Sequence, residues 1–253
     1  MLKFSLAFFG SFLLVSPSVS ALNTVPNSHQ LPQRNNAELL VTQRTANTNR
    51  ERIQQLSQEI QQLVNNKQWD LALEKAKQMT ELYPNIYLSW SLLGVVHLQF
   101  EQFNEAVITL EKARSLAPDN ETKKPILSAL GTAYQQRGIQ YFQQKQFEIA
   151  LSDLNKAINL RPNVAESYYI RGLLYSTQEK FDLALLDLNK AISINPNLAG
   201  AYDILGVIYA MKEDFTKALN NLEKAAQLYR QQQKPEQYKK TQELIQVIRQ
   251  QMN

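Results

Sequence analysis

The sequence predicts an all-α protein: a tandem array of about five helical hairpins closed by a C-terminal capping helix. Three observations predict it. The 253-residue chain holds only 7 Gly and 9 Pro, while Gln, Leu, Ala, Lys and Glu run in long stretches, the composition of helices joined by short turns. Alanines recur 34 residues apart, at Ala72 and Ala106 and again at Ala150, Ala184 and Ala218. Other residues keep step with them. Trp69, Phe103, Phe147, Phe181 and Phe215 stand three before an alanine, Gly94, Gly138, Gly172 and Gly206 twelve before, and Pro84, Pro118, Pro162 and Pro196 twelve after.

The elements follow in chain order. Met1 to Ala21 has one early charge, Lys3, an apolar run from Phe4 to Val15 and a small, polar end around Pro17, the layout of a secretory signal peptide. The run is shorter than the roughly 20 residues a membrane-spanning helix needs. Cleavage is expected near Ser20 or Ala21, which leaves an exported mature chain without a stable membrane span, in a periplasm, a lumen or the extracellular space. From residue 22 to 47 polar residues and proline show no period, and a disordered linker is expected. The repeat array occupies 48–232, with units at about 53–86, 87–120, 131–164, 165–198 and 199–232. Between Ala106 and Ala150 the interval is 44, so ten residues are inserted, within 119–130. Ile126, Leu127 and Leu130 have helical spacing there and Pro125 suits a first turn, so the insertion is read as a lengthened helix, with a projecting loop as the alternative. Residues 235–251, with Tyr238, Leu244, Ile245 and Ile248 at helical spacing, are read as the capping helix.

The physics of each repeated place is legible. A glycine inside a helix costs about 1 kcal/mol relative to alanine, so its recurrence calls for the close approach of a second helix, with the alanines as matching small residues. Each aromatic fills the wedge at the start of a second helix. Each proline stops a helix before the next unit.

This pattern resembles the tetratricopeptide repeat. The match is fullest in Ala165 to Pro196, where Tyr168, Arg171, Gly172, Tyr175, Phe181, Ala184, Ala191 and Pro196 all fit. The first unit departs from the pattern, with Ile60 in the glycine place and Leu56 in the aromatic one, and is read as a cap. The resemblance implies an α-solenoid of helix-turn-helix hairpins whose first helices line a concave, partner-binding surface.

A sign swap runs through the units. Glu59, Leu93, Arg137, Arg171 and Leu205 are each followed sixteen residues later by Lys75, Thr109, Asp153, Asp187 and Asn221. Acid meets base, base meets acid, and uncharged meets uncharged. These places are therefore expected to face each other across a hairpin as structural ion pairs.

Little chemistry is on offer. The chain has no cysteine and two histidines; His29 lies among polar residues, and His97 takes the place of Tyr141, Tyr175 and Tyr209 in other units, a core position. No phosphate loop, HExxH, GxSxG or calcium loop occurs. The expectation is a protein that is not an enzyme and has no cofactor and no metal. The formal charge of +4 and pI near 9.1 come from Lys and Arg mixed with Asp and Glu, a pattern that does not call for nucleic acid. The implied concave face carries Val95 and Leu98, then Gln135, Ile139 and Phe142, then Tyr169 and Leu173, then Asp203 and Val207. Chaperone-binding members of the resembling family hold a terminal carboxylate with Lys, Arg and Asn there, types missing from these positions. A protein or peptide with an apolar segment is the expected partner, and the expected role is a scaffold, adaptor or assembly factor. The bland reading has these side chains simply packing first helix on first helix. An RNA-binding helical repeat and a regulatory subunit of an exported enzyme complex stay open as alternatives, as does self-association.

Overall fold

The computed structural model describes residues 36–252. The signal peptide read at 1–21 and residues 22–35 of the linker lie outside the described residues. The helices run α1 (Asn36–Asn65), α2 (Trp69–Leu82), α3 (Tyr87–Gln99), α4 (Phe103–Leu116), α5 (Asn120–Gln143), α6 (Phe147–Leu160), α7 (Ala165–Thr177), α8 (Phe181–Ile194), α9 (Ala199–Met211), α10 (Phe215–Gln231) and α11 (Pro235–Gln251). The fold is an all-α array of helical hairpins with a C-terminal capping helix, as the repeats predict.

The repeated aromatics are the first residues of α2, α4, α6, α8 and α10, and the repeated alanines Ala72, Ala106, Ala150, Ala184 and Ala218 are fully buried. Most of the hairpins close on one turn. Lys67, Glu101, Lys145, Glu179 and Glu213 follow their helices with φ between 56° and 61°, and Gln233 after α10 has φ 54°. At each, the next residue's N–H reaches back five residues, as from Gln68 to the Leu63 carbonyl at 2.8 Å and from Asp214 to the Tyr209 carbonyl at 2.9 Å. This is the Schellman closure of a helix end, and glycine is its usual occupant because a Cβ disfavours the left-handed conformation.

The chain divides into two compact units, residues 1–133 and 134–253. In the first, Ile53, Ile60, Val64, Ala72, Ala76, Met79, Leu92, Leu93 and Val96 form a core, with Leu56 and Trp69 packed against it. Ile60, in the glycine place, is fully buried there, so the first hairpin keeps a bulky residue where its successors keep none. α1 begins at Asn36, inside the segment read as a linker. Residues 42–49 are helical although exposed. No Gly or Pro interrupts residues 33–83, and Glu38, Gln43, Arg44 and Ala46 are good helix formers, so the helix continues without an apolar face to dictate it. The insertion is part of α5, which has 24 residues where α3, α7 and α9 have 13. Asp119 Oδ1 accepts from the Thr122 N–H at 2.8 Å at its start. Pro125 lies in the second turn of α5, one turn deeper than its sequence context predicts.

In the second unit the array proceeds from α6 to α11, and clusters around Leu188, Leu205 and Ile208, and around Leu222, Ile245 and Ile248, hold consecutive helices together. α10 has 17 residues against 14 in α6 and α8, and α11 packs on its end. The outward face of α11 bears Lys239, Lys240, Glu243, Gln246 and Gln250 around the apolar Val247, all exposed. No further hairpin can mate with such a face without burying charge.

The repeated glycines make room for a leucine more than for an alanine side chain. A Cβ at Gly94 would lie 2.5 Å from Leu110 Cγ and 2.9 Å from Thr109 Oγ1, whereas at Gly138 the nearest atom is Leu154 Cγ at 3.1 Å. Gly94→Ala is therefore expected to destabilise by about 1–3 kcal/mol through overpacking. Gly138→Ala, helped by alanine's helix preference, is expected within about 1 kcal/mol of wild type. Urea midpoints of the two variants check the order, and equal losses would contradict it.

Candidate partner-binding surface

The sign swap is realised in full. Lys75 Nζ is 3.0 Å from Glu59 Oε1, a half-buried pair open to solvent. Arg137 donates to Asp153 through Nε at 2.7 Å and Nη2 at 2.9 Å, and Arg171 to Asp187 through Nε at 2.6 Å and Nη2 at 2.7 Å. Asp153 and Asp187 are buried. Arg171 also donates through Nη1 to Asn155 Oδ1 at 2.6 Å and lies against the rings of Tyr168 and Tyr175, 5.7 and 6.0 Å from their centroids. Both arginines are occupied inside the fold, so neither is an anion site. His97 is buried, with Nδ1 2.7 Å from Gln102 Oε1, a distance that suits the Nδ1–H tautomer donating. It is a core residue, as its place in the repeat predicts.

The candidate surface residues divide by burial. In the first unit Val95 and Leu98 are buried. In the second, Gln135 and Ile139 are buried, and Gln135 Oε1 accepts from the Ser167 hydroxyl at 3.1 Å. Phe142 is half-buried, its ring 5.9 Å from that of Phe147. Tyr169 and Leu173 on α7 and Asp203 on α9 are half-buried, and Val207 on α9 is 37% exposed. α7 and α9 touch, and the two pairs stand at i and i+4, so each helix presents a polar residue and an apolar one a turn apart. Four of the nine residues thus stand on two touching helices, and Val207 is the most exposed of them.

Residues not anticipated from the sequence complete the polar end of this set. The Thr241 hydroxyl of α11 is 2.8 Å from Asp203 Oδ1 and 3.0 Å from the Gln237 carbonyl. The hydroxyl has one proton for both. Gly200 stands outside the repeated glycine place, and a Cβ there would lie 2.7 Å from the Tyr169 hydroxyl; this off-register glycine was the available signal. Tyr229 of α10 is buried among Ala199, Ala225 and Leu228. Burial pushes the Asp203 carboxyl above the usual carboxylate range, against the pull of the Thr241 hydroxyl. Burial, then the Asp203 charge, raises the Tyr169 and Tyr229 phenols, with a further contribution to Tyr169 from Glu166. Burial likewise raises Glu166, which Arg161 opposes.

A pH dependence follows. A carboxyl whose folded pKa exceeds its unfolded one binds its proton more readily in the folded chain, so its ionisation reduces stability as pH rises from the ordinary value through the raised one. Asp203→Asn keeps an oxygen for Thr241 and removes the charge. It is expected to melt higher than wild type at pH 7 and to match it near pH 3, where the wild-type carboxyl is protonated. Thermal unfolding at the two pH values checks this, and a variant less stable at pH 7 would contradict it.

Among the described residues no three His, Asp or Glu side chains are grouped to hold a metal ion, and no helix is long and apolar enough to cross a membrane.

A run of paired helices with buried glycine–leucine contacts defines a helical-repeat protein. The sequence matches the family model "Tetratricopeptide repeat" over residues 165–198 and "TPR repeat" over 138–179, and it matches "ChAPs (Chs5p-Arf1p-binding proteins)" over 32–126. The chain therefore carries tetratricopeptide repeats over residues 138–198. Among solved structures it is similar to MamA, with 25% identity and a TM-score of 0.52 over 68% of this chain and 95% of that one. MamA from Desulfovibrio magneticus RS-1 matches with 21% identity and a TM-score of 0.54, over 71% of this chain and 96% of that one. YrrB, described as a TPR protein with an unusual peptide-binding site, matches with 25% identity and a TM-score of 0.51, over 68% and 84%. No curated protein matches the sequence.

Proposed function

We propose that the protein is a non-enzymatic adaptor or assembly factor that holds an apolar segment of a partner protein against α7 and α9. The observation that carries this reading is the row formed by Leu173 and the exposed Val207, two apolar side chains one unit apart on touching first helices. The peptide-binding site of YrrB, a protein of the same fold, supports it. An apolar strip with a polar end suits an amphipathic or extended segment, where apolar contacts supply affinity and the polar end sets register. The signal-peptide layout of Met1 to Ala21 supports export, with a mature chain beginning near Leu22. N-terminal sequencing of protein from the exported fraction tests the export; an intact Met1 end would refute cleavage.

A random peptide library displayed on phage tests the binding. The protein is compared with a Leu173→Glu/Val207→Glu variant of equal helicity by circular dichroism. Wild type is expected to recover peptides with apolar residues, and the variant to recover them at least tenfold less. Equal recovery would place the contact elsewhere.

A further inference from the structure

The aspartates buried or half-buried in the second unit differ in how their charge is met. Asp153 and Asp187 each face an arginine that gives two hydrogen bonds. Asp203 has one hydroxyl, at 2.8 Å, whose proton the Gln237 carbonyl also attracts. Among the described residues no lysine, arginine or histidine pairs with it. A carboxylate withdrawn from water without a counter-ion is unfavourable. If Asp203 served only to anchor α11 through Thr241, asparagine would do so without that penalty.

The surroundings suit a cation. Tyr169 leans over α9 at Gly200, one turn before Asp203, and Tyr229 is close enough for its phenol to feel the Asp203 charge. Glu166 adds negative charge on α7, and Arg161 is beside it. A carboxylate with a phenol oxygen near it attracts an ammonium or guanidinium group by charge and can share its hydrogen bonds. We propose that Asp203, with Tyr169 beside it, receives a lysine or arginine side chain of the bound peptide, one helical turn from the apolar contacts at Leu173 and Val207. This rests on the peptide-binding reading above and names its ligand more closely.

The geometry sets a spacing. Positions i and i+4 of a helix are about 6 Å apart along its axis. A basic residue two places from an apolar one in an extended peptide, or three to four places away in a helical one, bridges that distance.

The same displayed library is selected on wild type, on Asp203→Asn and on Leu173→Glu. Peptides recovered by wild type are expected to carry Lys or Arg at the stated spacing from an apolar residue. Asp203→Asn is expected to keep the apolar preference and lose the basic one, and a recovered peptide to bind it at least tenfold more weakly. Apolar peptides that depend on Leu173 but show no basic preference, or one unchanged in Asp203→Asn, overturn this inference and leave the binding surface standing. Recovery indifferent to Leu173, or no recovery, overturns both. Spermidine that competes as well as the peptide assigns the site to a free amine and overturns the peptide side chain.

Discussion

Arg171→Met is expected to destabilise the protein by about 3–5 kcal/mol, read as a lower urea midpoint at unchanged slope. The substitution removes two hydrogen bonds from Asp187, which is 3% exposed, and leaves a carboxylate that water cannot reach. It also takes a donor from Asn155 and the guanidinium from between Tyr168 and Tyr175. The loss comes mainly from the stranded charge, so the double variant Arg171→Met/Asp187→Leu is expected to recover most of it. Lys75→Met supplies the contrast. Its partner Glu59 has a side chain 43% exposed, and removal of such a pair is expected to change stability by about 1 kcal/mol or less. Equal losses at the two sites would show that burial does not decide the strength of these pairs.

Leu222→Ala is expected to cost about 2–5 kcal/mol, because Leu222 is fully buried and its removal empties space between α9 and α10. The informative result is the double variant. A Cβ at Gly206 would lie 2.5 Å from Leu222 Cγ and 2.8 Å from Cδ2, so Gly206→Ala alone is expected to displace the Leu222 side chain or its helix. With Leu222 shortened, the added methyl enters vacated space, limited only by the Ala218 carbonyl oxygen at 3.2 Å. Gly206→Ala is then expected to become neutral or stabilising, a coupling of about 1–3 kcal/mol between the two positions. Additive losses would mean that the glycine is required by the backbone and not by the leucine.

Much of this architecture was legible because a repeat states each rule several times. Five aromatics and five alanines marked the hairpins, and the matched sign changes at Glu59 and Lys75, Arg137 and Asp153, and Arg171 and Asp187 located side-chain pairs across them. The failures fall where the repeat is silent. Residues 36–47 form helix without an apolar period, so nothing in their pattern distinguished helix from linker. The left-handed turn residues are Lys, Glu and Gln, and a search for glycine passes over them. The candidate surface was named from one row of equivalent positions. Position in a unit does not report how deeply neighbours cover it, and Ile139 is 6% exposed where Val207 is 37% exposed. The contact between Asp203 and Thr241 spans 38 residues, whereas Gln135, at the same place in its unit, meets Ser167 across 32, so the 34-residue register does not point to either partner.

The polar outer face of α11 has a consequence beyond the single molecule. A stack of like hairpins has no built-in last member, since each one exposes a surface shaped for the next. Two ends left apolar would let molecules add head to tail without closing a ring, which is how open filaments grow. Lys239, Glu243 and Gln246 put charge and amide groups on that end, and a head-to-tail contact there would have to take them out of water.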